Sequence, residues 1–104
     1  MCRIYAGTAP SEYEPLARSL RLHGAVTSIR LEARFWAILD KMADAEGLTT
    51  PKFLAKLHDE VLDQHGEVRN FTSLLRVVCA IYLDRVERAP KTVGVTVAAM
   101  QAFA

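Results

Sequence analysis

Val26-Thr27-Ser28-Ile29-Arg30-Leu31 alternates, with Thr27, Ile29 and Leu31 on one side and Val26, Ser28 and Arg30 on the other. A period of two marks a strand with one buried face. The period then changes. Phe35, Trp36, Leu39, Met42 and Ala43 fall at i, i+1, i+4, i+7 and i+8, one stripe of a helix. Gly47 is placed to stop that helix, because glycine takes positive φ without penalty. Thr49 or Thr50 caps a second helix, with Pro51 in its first turn, where a missing N–H costs nothing. Phe53, Leu54, Leu57, Val61 and Leu62 form its apolar stripe, and His65-Gly66 its end.

A strand followed by two helices is not a finished fold. Its backbone N–H and C=O groups need partners, and no second strand of matching pattern follows within the unit. The simplest repair is a second copy of the chain, its strand pairing antiparallel across a two-fold axis. Upstream, Leu20 and Leu22 alternate with Arg21 and His23, so the strand can begin earlier, with Gly24 as a bulge or bend. The expectation is a mainly α obligate dimer: one N-terminal ribbon strand per chain, an intermolecular two-stranded sheet, two helices and an added third helix.

That third helix follows a turn at 66–69. Asn70 is the expected N-cap, and Phe71, Leu74, Leu75, Val78, Ile81, Tyr82 and Leu83 cover more than one stripe, which predicts burial on two sides. Arg85, Glu87 and Arg88 close it before Pro90. The single domain divides into an arm (1–17), a core (18–66), the third helix (67–89) and a tail (90–104). The tail reads as an edge strand, a terminal helix or a frayed end, and its apolarity favours a docked segment over free disorder. Residues 8–15, with two prolines, read as a loop or short turn.

With 104 residues, half of them apolar, the chain is long enough for one modest core. No apolar run approaches the ~20 residues needed to cross a bilayer, and the N-terminus lacks the apolar segment of a signal peptide. Two cysteines do not make a disulfide framework, so the cytoplasm is the expected compartment, with no membrane partner. A net charge of +1 gives no global drive toward nucleic acid. Locally the balance differs: Arg18, Arg21, Arg30 and Arg34 meet only Glu32 between positions 18 and 34.

Ser28-Ile29-Arg30-Leu31-Glu32, then Phe35, Leu39, Met42, Ala43, Gly47-Leu48-Thr49 and a second amphipathic helix resemble the ribbon-helix-helix DNA-binding family of bacterial repressors. The longer run from Arg18-Ser19-Leu20-Arg21-Leu22-His23-Gly24 through Phe35-Trp36, Gly66-Glu67-Val68 and Asn70-Phe71 is similar to a branch of small bacterial proteins with a third helix. The motif covers a little under half of the chain, the branch most of it. The resemblance implies a homodimer, able to assemble further on double-stranded DNA, whose ribbon enters the major groove. Val26, Ser28 and Arg30 would then meet base edges. Arg30 is suited to guanine O6 and N7, and Val26 departs from the polar habit of that position. Arg21, His23, Thr49, Thr50 and Lys52 would meet phosphates.

One charge pattern supports an anion near that corner. Lys52 and Lys56 sit early in the second helix, and Asp59, Glu60 and Asp63 sit late. Both placements oppose the helix macrodipole, each by about 0.3–1 kcal/mol, and a bound anion would offset the cost.

Other chemistry is thin. Cys2 has no scaffold large enough to use it as an N-terminal nucleophile and reads as a small residue of a docking arm. His58 and His65 stand seven apart, with His23 elsewhere, too sparse for a metal site; both read as surface or helix-end residues. No nucleophile–base pair or phosphate loop is present, so no enzyme, metal or cofactor is expected. The competing reading is a protein-interaction module that docks a partner through the apolar third helix and the valine-bearing ribbon.

Overall fold

A computed structural model describes residues 2–89. A short helix α1 (Cys2–Ala6) and a 3-10 turn (Pro10–Glu12) lead into strands β1 (Pro15–Leu22) and β2 (Ala25–Glu32), followed by helices α2 (Ala33–Ala45), α3 (Thr50–His65) and α4 (Phe71–Arg88). The predicted ribbon, two helices and third helix are therefore β2, α2, α3 and α4. The alternatives for residues 90–104 lie outside the described residues. None of the described helices is long and apolar enough to cross a membrane.

The sheet corrects one expectation. β2 pairs antiparallel with β1 of its own chain, from Pro15↔Glu32 to Leu22↔Ala25. Gly24 is thus neither bulge nor bend within one strand. It is the second residue of a two-residue hairpin turn, with φ of 51° at His23 and 81° at Gly24. Two successive positive φ values match the right-handed twist of the strands they join. The intermolecular pairing inferred from the sequence is not what closes this sheet.

The core lies between one hairpin face and three helices. Leu20, Ile29 and Leu31 meet Trp36, Ile38 and Leu39 of α2, Leu54 of α3, and Leu75 and Cys79 of α4. Ile38 is a core residue outside the stripe read from the sequence. Burial pushes the Cys79 thiol up to about 11, and its Sγ lies 3.8 Å from the Phe35 carbonyl. This cysteine is a packing residue.

The helix ends are local in origin. Gly47 (φ 70°) follows α2; its N–H donates to the Asp44 carbonyl at 3.0 Å, and that of Leu48 to Ala43 at 2.9 Å. These are the two bonds of a Schellman stop. Of the two threonines, Thr49 is the N-cap of α3, its hydroxyl accepting from the Lys52 N–H, and Gly66 (φ 77°) ends that helix. Asn70 is the N-cap of α4, as the sequence predicts, but it stands in the left-handed region and its side chain makes no cap bond. Its carbonyl accepts the first helical bond, from the Leu74 N–H.

Among the described residues of one chain, α4 is buried on one side, by Leu75 and Cys79. Val77 is 54% exposed and Ile81 48%. It is tied to the hairpin by Arg76, whose guanidinium forks onto the Glu32 carboxylate at 2.9 and 3.2 Å. That bond holds the Glu32 carboxyl below its ordinary range.

A second fork joins β1 to α2 and α3. Arg18 donates to both Asp40 oxygens at 2.8 and 3.2 Å, and Thr50 donates its hydroxyl to Asp40 at 2.6 Å. The Arg18 bond lowers the Asp40 pKa; desolvation opposes it and the Thr50 bond assists. A lowered folded-state pKa means that the unfolded chain takes up the proton first. This stabilisation is complete above the ordinary aspartate pKa and is lost as pH falls through the lowered one. Both side chains are about two-fifths exposed, so water screens the pair. Asp40→Asn is expected to cost about 1 kcal/mol or less at neutral pH, with the gap to wild type closing in acid. Urea midpoints measured across pH check this; a gap independent of pH would refute it.

Candidate nucleic-acid interface

The buried positions Leu20, Ile29 and Leu31 fix which side of the hairpin faces the helices. Alternation then places the pairs Leu20↔Thr27, Arg18↔Ile29 and Leu16↔Leu31 inward. The pairs Ala17↔Arg30, Ser19↔Ser28 and Arg21↔Val26 face away, and all six of these residues are exposed. Val26, an apolar residue on a polar face, is 66% exposed.

This face is flat and basic. Ala17, Ser19 and Ser28 are small, and Arg21 and Arg30 are its charges, with no acidic residue between positions 15 and 31. Arg21 lies 3.5 Å from the Gly24 carbonyl. Arg30 has no ion-pair or hydrogen-bond partner among the described residues. The basic ribbon read from the sequence is narrower than four arginines. Arg18 points inward over the Trp36 ring, 4.5 Å from its centroid, and Arg34 pairs with Glu12. Ala17 and Ser19 escaped the sequence reading, because they belong to the interface only once β1 is a strand.

The edge of the hairpin matters as much as its face. Across a two-residue turn the flanking pair Leu22↔Ala25 exchanges both backbone bonds. Alternation carries this to Leu20↔Thr27, Arg18↔Ile29 and Leu16↔Leu31, and the Ala33 N–H continues it to the Glu14 carbonyl at 2.9 Å. Val26, Ser28 and Arg30 therefore aim their backbone groups away from β1. That edge of β2 has no strand partner among the described residues.

The start of α3 offers less than the sequence promised. Thr49 is exposed, but its hydroxyl accepts from Lys52 N–H, and Pro51 has no N–H. The Thr50 hydroxyl is spent on Asp40. What remains is the Thr50 N–H, the Thr49 hydroxyl proton and the exposed Lys52 ammonium. Along α3 an open hollow is lined by Lys52 and Lys56, then Asp59, Glu60 and Asp63, so its charge is mixed.

His23 and His58 are placed where the sequence did not put them. The His23 Nε2 sits 2.8 Å from Asp59 Oδ1, and its ring meets His58 edge-on at 5.6 Å. His58 is half-buried rather than a surface residue, edge-on to Phe71, with its Nδ1 buried and unpartnered. No local pattern signals a contact across 35 positions.

Residues 15–83 match the ribbon-helix-helix domain, and the chain belongs to that family. Its members are usually dimeric DNA-binding transcription regulators and typically not enzymes. Among solved structures, an uncharacterized protein from Bordetella pertussis Tohama I is 39% identical with a TM-score of 0.83, over 98% of this chain and 83% of that one. No curated protein matches the chain significantly.

Proposed function

We propose that the protein is a homodimeric, sequence-specific regulator that lays its ribbon in the major groove of double-stranded DNA. The observation that carries this is the outward hairpin face: Arg21 and Arg30 beside Ala17, Ser19, Ser28 and Val26, all exposed and without an acid. Two copies joining β2 edges form a four-stranded sheet with the β2 strands at its centre. Neighbouring strands lie ~4.8 Å apart, so the two outer β1 strands are about 14 Å apart. The groove is about 12 Å wide. The central strands fit and the outer ones meet its walls.

This divides the labour. Val26, Ser28 and Arg30 on β2 face base edges, and Arg21 on β1 faces phosphates, with Ala17 and Ser19 small enough to let the walls approach. Lys52, Thr49 and the Thr50 N–H add a phosphate contact at the start of α3. His23 and the Thr50 hydroxyl, already engaged within the fold, are left out. The dimer also gives a use to the apolar exposure of Val26.

Selection from random duplexes is the test. A motif with two-fold symmetry is expected, and binding should weaken steeply with salt as counterions are released. Arg30→Ala should relax the motif at one position per half-site and cost about 1–3 kcal/mol there, roughly 5- to 150-fold. Arg21→Ala should weaken all sequences alike and flatten the salt dependence. No enrichment at low salt would favour the protein-docking reading, for which the exposed Val77 and Ile81 on α4 are the available surface.

A further inference from the structure

The hairpin turn and α3 bring together three groups that the DNA interface does not use. One ring nitrogen each of His23 and His58 and a carboxylate oxygen of Asp59 lie within 4.8 Å of one another. His23 and Asp59 satisfy each other at 2.8 Å. His58 does not fit that account. It is half-buried against Phe71, and its Nδ1 is shut away from water with no acceptor or donor. His23 is also an uncommon choice for its backbone. The first position of such a turn favours asparagine, yet here φ of 51° is held by a residue whose ring reaches α3.

We propose that His23, His58 and Asp59 form a binding site for a divalent transition-metal ion of the zinc type. Two imidazoles and one carboxylate are a known three-ligand set for such ions, leaving a fourth position to water. Hard cations such as Mg²⁺ and Ca²⁺ prefer all-oxygen surroundings and are not selected. The ion takes the place of the hydrogen between His23 Nε2 and Asp59: an imidazolium gives that proton to solvent, and a neutral ring carries its N–H on Nδ1, so that Nε2 offers its lone pair in either case. With metal–ligand bonds of ~2.0–2.2 Å in tetrahedral array, the His23–Asp59 contact opens slightly. His23 and Asp59 are more than half exposed, so the site exchanges its ion readily. Occupancy pins the tip of the ribbon to α3. The inference does not depend on DNA binding.

The test uses the full chain and Co²⁺, whose visible ligand-field bands report nitrogen and oxygen coordination, with Zn²⁺ as competitor. The wild type should develop these bands at one equivalent, lose them to Zn²⁺, and melt at higher temperature with Zn²⁺ than without. His23→Asn keeps a residue that the turn favours, and Asp59→Asn keeps the side-chain shape. Each should weaken binding roughly tenfold or more and remove the thermal shift, while the metal-free variants still melt cooperatively. Wild-type protein that takes up neither ion overturns the proposal. So does affinity unchanged in both variants, which would place the ion elsewhere, for example at Cys2 or His65.

Discussion

Alanine at position 36 is expected to remove a large share of the chain's stability, about 3–5 kcal/mol. Trp36 is 1% exposed, and its indole Nε1–H donates to the Leu16 carbonyl at 2.8 Å. Arg18 lies over its ring and forks onto Asp40, which also holds Thr50. One side chain thus seats β1 on α2, and α2 on the start of α3. Truncating a buried tryptophan costs about 3–5 kcal/mol, and a domain has only about 5–15 in all. Trp36→Phe keeps an aromatic face under Arg18 and loses the bond to Leu16, about 0.5–1.5 kcal/mol, plus part of the packing. Urea titrations followed by far-ultraviolet circular dichroism separate the cases. The midpoint should fall in the order wild type, Phe, Ala. A Trp36→Ala midpoint equal to wild type would remove Trp36 from the centre of the fold.

The same tryptophan shows why part of this fold was legible in sequence and part was not. β2, α2, the Gly47 corner and α3 follow from local physics: an alternation, a change of period, a glycine stop and a threonine cap. β1 obeys the same alternation, but its inward set is Leu16, Arg18, Leu20 and Leu22. An arginine among leucines breaks the pattern to the eye, and its reason lies eighteen residues away in the face of Trp36. The turn was hidden likewise, since His23-Gly24 replaces the Asn-Gly that announces such a hairpin. The sequence shows only the second half of β1, and as the start of the same strand, so that strand has no visible partner in its own chain. Ala17 and Ser19, two of the three outward residues of β1, are hidden with the rest of it.

The candidate site divides along the same line. Val26, Ser28 and Arg30 share a face because strands alternate, and that needs no coordinates. Which groups are already spent does need them. Asp59 holds His23, and Asp40 holds Thr50 and Arg18, through contacts between elements that no spacing rule encodes. α4 shows the same limit: its many apolar residues cover more than one stripe, and one chain buries only the stripe of Leu75 and Cys79, with Val77 and Ile81 facing out of the fold.

Proline at position 28 should abolish dimerisation and DNA binding together while leaving the hairpin folded. The hairpin register directs the Ser28 N–H away from β1, to the edge on which the proposed partner strand would pair. Proline there removes a donor that the monomer does not use, and its ring occupies the space of the incoming strand; such a residue is tolerated at the solvent side of an edge strand. One position further, Ile29 aims its N–H at Arg18 of β1 and its side chain into the core, so Ile29→Pro should unfold the hairpin. The contrast isolates the edge. Sedimentation should show wild type as a dimer and Ser28→Pro as a monomer of near-native circular dichroism, with specific DNA affinity lost because two half-sites are no longer joined. Ser28→Ala, which keeps the N–H, should remain dimeric and lose only what the hydroxyl contributes at the bases. A Ser28→Pro protein that still sediments as a dimer would mean that the copies meet elsewhere, with the exposed face of α4 the next surface to test.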